Sequence, residues 1–113
     1  MRKLEITIPV RVYAYDELDE ARRKLIDRAK EATGGSYAPY SNFNVGAAIE
    51  LATGEIVTGA NQENAAFSSG TCAERSACFS AGALHKGVPM RRIAIAAYTA
   101  GAFQRKPISP CGA

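Results

Sequence analysis

Two cysteines and one glutamate are the residues of this 113-residue sequence whose types and spacing most suggest chemistry. Cys72 and Glu74 stand two positions apart, and Cys111 follows Pro110 near the last residue. Cysteine thiolates bind zinc, and a carboxylate beside a metal site can move protons without binding the metal. Each residue alone also has an ordinary explanation, because Cys72 could fill the core and Glu74 could cap a helix. The three residues form one site only if the fold brings them together.

Alternation and helical spacing predict the elements that position these residues. Residues 3–12 alternate apolar and polar side chains and predict an edge strand or an extended arm, since Pro9 cannot donate to a ladder. An amphipathic helix is predicted from Asp16 to the Gly34-Gly35 pair. The remaining elements follow in the order β-β-α-β-α: strands at 43–51 and 55–61 joined by a turn at 52–54, a helix at 72–86, a strand at 90–98 and a third helix opening at Ser109.

The order of these elements predicts where the two cysteines meet. Strand 55–61, helix 72–86 and strand 90–98 form a crossover unit, whose strands should be parallel. If these strands are neighbours, the helices that follow them begin at one edge of the sheet, with Cys72 and Cys111 in their first turns. Helix N-termini lower the pKa of thiols and so favour the metal-binding thiolate. We therefore expect an α/β fold with a mixed sheet and a metal site at this edge.

The helix at 72–86 leaves one alternative open for its acidic residue. Thr71 followed three positions later by Glu74 is a capping-box pattern, in which the glutamate only bonds back to the helix start. Cys78, six positions after Cys72, lies on a different side of the helix and is expected in the core.

Composition and charge narrow the class of protein. The sequence is 47% hydrophobic and 22% charged, as in a single globular domain, with a net charge of only +3. Charges interrupt every apolar run before the roughly 18 residues of a membrane span, and the first residues lack the apolar core of a signal peptide. The three cysteines are an odd number and favour reduced thiols. These features predict a cytoplasmic protein that binds neither nucleic acid nor a membrane.

Taken together, the motifs resemble those of the small, homotetrameric, zinc-dependent cytidine deaminases. Zinc nucleobase deaminases carry a His-or-Cys-x-Glu segment and a Pro-Cys-x-x-Cys segment, and in them the glutamate is not a ligand. The matching segments are YAPYSNFNVGAA at 37–48, TGANQENA at 58–65, TCAER at 71–75 and ISPCGA at 108–113. The resemblance covers about residues 16–113 and leaves the first 15 as an extra strand or arm. It implies one domain over residues 1–113, with a three-layer α/β/α fold whose C-terminal part is missing from this chain.

The resemblance also implies a role for each matching residue. One zinc ion per subunit would be held by Cys72 and Cys111, with a third ligand expected from a cysteine directly after Ala113. The chain ending at Ala113 should therefore be a poor enzyme or none. The implied functional roles are general acid and base for Glu74, substrate binding through the Ala73 amide, support of the thiolates by Arg75, ribose binding by Asn61 and Glu63, and base stacking by Phe43.

The implied activity is hydrolysis of cytidine and deoxycytidine to uridine and deoxyuridine plus ammonia, a step of pyrimidine salvage, in a homotetramer or homodimer. The alternatives are a deaminase of an aminonucleoside antibiotic such as blasticidin S, another zinc deaminase such as a polynucleotide editor, and a non-catalytic zinc-binding module of the same fold. An editor needs a basic, aromatic-lined groove, whereas only 8% of this chain is aromatic. An antibiotic deaminase would not need the pair Asn61 and Glu63.

Overall fold

The computed structural model describes residues 1–106 and residue 108, with no account of the Phe67 side chain. The predicted helix opening at Ser109 lies outside the described residues. Three short 3-10 turns, Tyr15–Glu17, Thr33–Gly35 and Phe67–Ser69, accompany the regular elements. These elements are helices α1 (Glu20–Ala32) and α2 (Ala73–Leu84) and strands β1 (Asn44–Leu51), β2 (Ile56–Ala60), β3 (Met90–Thr99) and β4 (Ala102–Phe103).

The first 14 residues contain no helix or strand. The apolar side chains at the alternating positions of this arm are exposed, from 66% at Val10 to 86% at Leu4. Of the two expected forms, an edge strand or an extended arm, this chain by itself shows no strand over these residues. Helix α1 also begins later than the predicted Asp16, because Asp19 is its N-cap and accepts a hydrogen bond from the Arg22 amide at 2.8 Å.

The four strands form one sheet in the order β2-β1-β3-β4, and all pairs of neighbouring strands among them are antiparallel. The predicted turn at 52–54 is confirmed, with Gly54 at φ 91°, so β2 folds back against one edge of β1. Strand β3 takes the other edge of β1. The assumption that strands 55–61 and 90–98 are neighbours in the sheet is therefore wrong. These strands share a direction, but β1 separates them, and the mixed sheet is not seen in the described part of the chain.

Helices cover both faces of the sheet, which confirms the three-layer α/β/α arrangement. Alternate side chains of β1 point to opposite faces. Ala47 and Ile49 join the core that packs against α2, whereas Ala48 joins the core that packs against Leu25 and Ala29 of α1. Cys78 packs against the α2 core, as predicted. No helix in residues 1–106 is long and apolar enough to cross a membrane.

Two glycines let the helices approach the sheet backbone closely. A Cβ atom at Gly59 of β2 would lie 2.4 Å from the Ala77 amide nitrogen in α2. A Cβ atom at Gly46 of β1 would lie 2.1 Å from the Ala29 carbonyl oxygen in α1. Both distances are far below van der Waals contact, so each helix is seated where the sheet has no side chain.

The hairpin of β3 and β4 was not predicted. Ala100 and Gly101 both have positive φ, at 53° and 79°, as a tight two-residue hairpin turn requires. The rings of Tyr98 and Phe103 meet edge to face across the strands with centroids 5.0 Å apart. The Lys30 ammonium of α1 lies 5.6 Å from the Phe103 ring centroid and so links α1 to the hairpin.

Candidate functional site

A cavity of about 1220 Å³ opens where β1 begins, β2 ends and α2 begins. The two strand ends meet because the β1–β2 hairpin is antiparallel, and residues 61–72 carry the chain from β2 to α2. Ile95 of β3 contributes an apolar wall. Within the described chain, every predicted site residue lines this cavity, namely Phe43, Asn61, Glu63, Cys72, Ala73, Glu74 and Arg75. The residues therefore converge, although the neighbouring parallel strands expected to bring them together do not occur.

Cys72, and not Thr71, is the N-cap of α2. The backbone of Thr71 instead pairs with Gln62, through two N–H to carbonyl hydrogen bonds of 2.9 Å. Glu74 is consequently the second helical residue, whereas a capping box requires the acid at the third. The predicted capping box is therefore wrong. The Thr71–Glu74 box therefore does not account for the Glu74 carboxylate, which lines the cavity.

The start of α2 supplies donor chemistry that suits zinc. The Cys72 thiol lines the cavity at the N-terminus of α2, and the positive end of a helix dipole favours a thiolate. Thiolate sulfur is a preferred ligand of zinc. No group of three metal-binding side chains occurs among residues 1–106 and 108, and Cys111 lies outside them. The pair Cys72 and Cys111 thus stays a prediction, to which the described chain contributes one suitably placed thiol.

The side-chain amide of Asn61 ties the end of β2 to the start of β1. Its Oδ1 accepts hydrogen bonds from the Val45 amide at 2.9 Å and from the Ser36 hydroxyl at 2.5 Å. Its Nδ2 donates to the Phe43 carbonyl oxygen at 2.9 Å. Sequence reasoning assigned Asn61 to ligand binding alone and missed this bridging role. Ser36 carried no signal, because nothing local links residues 25 positions apart.

The carboxylate of Glu63 anchors the segment that precedes β1. Its Oε1 accepts from the backbone amides of Tyr40 at 3.0 Å and Ser41 at 3.2 Å, and its Oε2 accepts from the Ser41 hydroxyl at 2.5 Å. The Ser41 hydroxyl and the two backbone amides hold the pKa of Glu63 below its ordinary value. Glu63 is therefore ionised at neutral pH and acts only as an acceptor. Ser41 lies within the segment 37–48, yet its role was not predicted.

Phe43 and Arg75 both line the cavity. Phe43 is 37% exposed, so part of its ring is available to a ligand. The Arg75 guanidinium lies 5.4 Å from the Phe79 ring centroid, a cation–π contact on the exposed side of α2. Phe79 therefore helps to hold Arg75 beside the first turn of α2.

Comparisons with known proteins agree with this geometry. Residues 19–113 match the family model for the cytidine and deoxycytidylate deaminase zinc-binding region. The chain is 40% identical over 92 residues to a cytidine deaminase of Halalkalibacterium halodurans, covering 81% of this chain and 65% of that protein. It is 45% identical over 91 residues to a cytidine deaminase of Sporosarcina psychrophila, covering 80% and 62%. The chain thus spans slightly less than two thirds of the length of these relatives.

Solved structures give the same result for the fold. The crystal structure of cytidine deaminase from Burkholderia pseudomallei superposes with a TM-score of 0.68 at 45% identity, covering 79% of this chain and 67% of that one. Cytidine deaminase from Mycobacterium tuberculosis superposes with a TM-score of 0.70 at 32% identity, covering 83% and 72%. The arrangement of the sheet and the two helices is therefore shared with these enzymes.

Proposed function

The chain belongs to the cytidine and deoxycytidylate deaminase family, and from this membership we propose that it catalyses the hydrolysis of cytidine and deoxycytidine to uridine and deoxyuridine plus ammonia. One observation carries the proposal: Cys72 and Glu74, at the start of α2, share a cavity with the ligand-binding candidates Phe43, Asn61 and Glu63. A metal donor, an acid and base group and a cavity large enough to admit a nucleoside are thereby combined.

We assign Glu74 the proton transfers of the reaction. Its carboxylate takes a proton from the attacking water, passes a proton to N3 of the pyrimidine and later protonates the departing amine. Water adds to C4, the C4–N4 bond breaks, and one water is consumed for each ammonia released. Cys72 and Cys111 would hold zinc through their thiolates. Zinc, when bound, supplies Lewis acidity and lowers the pKa of water to about 7.

Two neighbours of Glu74 support this chemistry in the proposal. The backbone amide of Ala73 belongs to the first turn of α2, where amides have no helical acceptor, so it is available to a polar atom of the base. The positive charge of Arg75 offsets the negative charge that several thiolates place around one zinc ion. The exposed ring of Phe79 contacts the Arg75 guanidinium and helps to hold it in place.

We propose that Phe43, Asn61 and Glu63 recognise the nucleoside. Phe43 offers its partly exposed ring to the base, and Asn61 and Glu63 bind ribose hydroxyl groups. The two polar residues are suited to one ligand because alternate positions of an extended chain point to the same side. A blasticidin-type deaminase would not need this pair.

The same proposal includes a cytoplasmic enzyme of pyrimidine salvage that acts as a homotetramer or homodimer on free nucleosides. The low aromatic content of 8% and the small net charge of +3 favour a small-molecule substrate over nucleic acid or a membrane surface. The exposed arm of residues 1–14 is left without an assigned role.

The test is turnover by the complete gene product loaded with zinc. We expect release of ammonia and formation of uridine or deoxyuridine, and we expect Glu74→Gln to keep its zinc while kcat falls by about 10²–10⁴. Glu31→Gln, which removes an exposed carboxylate of α1, is the matched control and should leave kcat unchanged. Zinc binding without turnover of either nucleoside would favour the non-catalytic module. Turnover of an aminonucleoside antibiotic alone would favour that class of deaminase.

A further inference from the structure

The hydrogen bonds around Asn61 fix which kind of bond its side chain can still make. Both lone pairs of Oδ1 are used by the Val45 amide and the Ser36 hydroxyl. One hydrogen of Nδ2 goes to the Phe43 carbonyl oxygen. Among the residues that the structure describes, the second Nδ2 hydrogen has no acceptor. Asn61 can therefore offer the cavity one donor and no acceptor.

The bonds around Glu63 leave it with the opposite capacity. Three donors, the Tyr40 amide, the Ser41 amide and the Ser41 hydroxyl, occupy three of its roughly four acceptor positions. The remaining position is on Oε2. Because the carboxylate is ionised, it cannot donate. Glu63 therefore offers the cavity one acceptor and no donor.

We propose that Ser36 and Ser41 are positioning residues. They leave Asn61 only a donor and Glu63 only an acceptor, and with this polarity the cavity selects an uncharged hydroxyl group between the two side chains. A hydroxyl accepts from the Asn61 amide and donates to Glu63 at the same time. A phosphate monoester is mostly a dianion at neutral pH, so it has no proton to donate to Glu63 and is repelled by its charge. The inference rests on the proposed function for the identity of the ligand, but the polarity itself follows from hydrogen bonds within the chain.

The first test measures the hydrogen bonds without any substrate. In Ser41→Ala the pKa of Glu63, followed by ¹³C NMR of its carboxyl carbon, should rise toward the ordinary glutamate value. Ser41→Thr keeps a hydroxyl and should restore the low value. Ser68→Ala is the matched control, because Ser68 lines the same cavity and is not one of the groups that bond Glu63. A Glu63 pKa that does not differ between wild type and Ser41→Ala would overturn the inference.

The second test compares cytidine with 2′,3′-dideoxycytidine, which lacks the ribose hydroxyls at those positions. Ser36→Ala and Ser41→Ala should each raise the KM for cytidine about tenfold, the cost of roughly one hydrogen bond, while kcat changes less than threefold. The KM for dideoxycytidine should stay unchanged, and the threonine variants should restore the KM for cytidine. Equal losses on both nucleosides would overturn the inference. If wild type deaminates neither nucleoside, the proposed function fails, and the NMR titration still decides the role of Ser41.

Discussion

Gly59 is the position where a single methyl group should disturb both stability and the site. In Gly59→Ala the new Cβ would meet the Ala77 amide nitrogen at 2.4 Å and the Ala73 carbonyl oxygen at 2.9 Å. Ordinary contact begins near 3.4 Å, so α2 must move away from β2 by about 1 Å. The obstacle is helix backbone, which cannot rotate aside as a side chain would. We expect a loss of about 1–3 kcal/mol in the free energy of unfolding.

The same displacement should reach the chemistry, because the first turn of α2 carries Cys72 and Glu74. A misplacement of about 1 Å can cost on the order of 10² in rate. We therefore expect kcat/KM for cytidine to fall about 10²-fold at a temperature where Gly59→Ala is still folded. The assays are urea denaturation followed by circular dichroism, and ammonia release per folded molecule of the zinc-loaded protein.

Two other glycines separate the causes of these losses. Gly46→Ala would drive a Cβ to 2.1 Å from the Ala29 carbonyl oxygen and displace α1, which lies on the opposite face from the cavity. It should destabilise the fold comparably and reduce kcat/KM much less. Gly82→Ala on α2 meets no atom within 4 Å and should stabilise the helix by about 0.5–1 kcal/mol. Unchanged stability of Gly59→Ala, or an equal loss of activity in Gly46→Ala, would refute the reasoning.

Three further predictions concern the cavity walls. Cys72→Ser should lower the zinc content of the purified complete protein well below one ion per subunit, as measured by atomic emission; stoichiometric zinc would contradict the ligand assignment. Asn61→Ala should weaken cytidine binding far more than binding of free cytosine and should also lower the melting temperature, because the amide bridges β1 and β2; equal effects on both ligands would remove the ribose assignment. The pKa of Glu63 is lower in the folded than in the unfolded protein, so its contribution to stability is present above the ordinary value of 4.5 and is lost as the pH falls through the folded value. Glu63→Gln should flatten the dependence of stability on pH in this acidic range, and an unchanged profile would show that Ser41 and Tyr40 do not favour the ionised form.

The fold could be predicted wherever the signal was local. Alternation and a glycine turn predicted the β1–β2 hairpin, and a stripe of apolar positions predicted α1. The N-cap of α1 is Asp19, so the helix begins later than the predicted Asp16. The partner of each strand is not a local property. The crossover rule fixed the direction of β3 correctly, but no residue pattern showed that β1 would lie between β2 and β3. The arm at 3–12 has the alternation of a strand without a partner in the described chain.

The residues of the site were predictable by type, and their partners were not. Cys72 and Glu74 stood out because their chemistry and spacing are unusual together. The capping pattern at Thr71 failed because a backbone pairing with Gln62 holds that residue outside the helix. The contacts of Ser36 and Ser41 span 25 and 22 positions, and side-chain contacts over such a separation leave no periodic trace in the sequence.

The antiparallel hairpin of β1 and β2 also places its turn far from the cavity, at a site where a label can be attached. The turn at 52–54 lies at the end of β1 opposite to the cavity, and the eight residues of β1 span roughly 26 Å. Residues 52–55 are all exposed. A fluorophore, an affinity tag or a short inserted peptide at Thr53 would therefore extend into solvent, far from the ligand. The turn provides an attachment point for immobilising the protein or for following its assembly while leaving the cavity open.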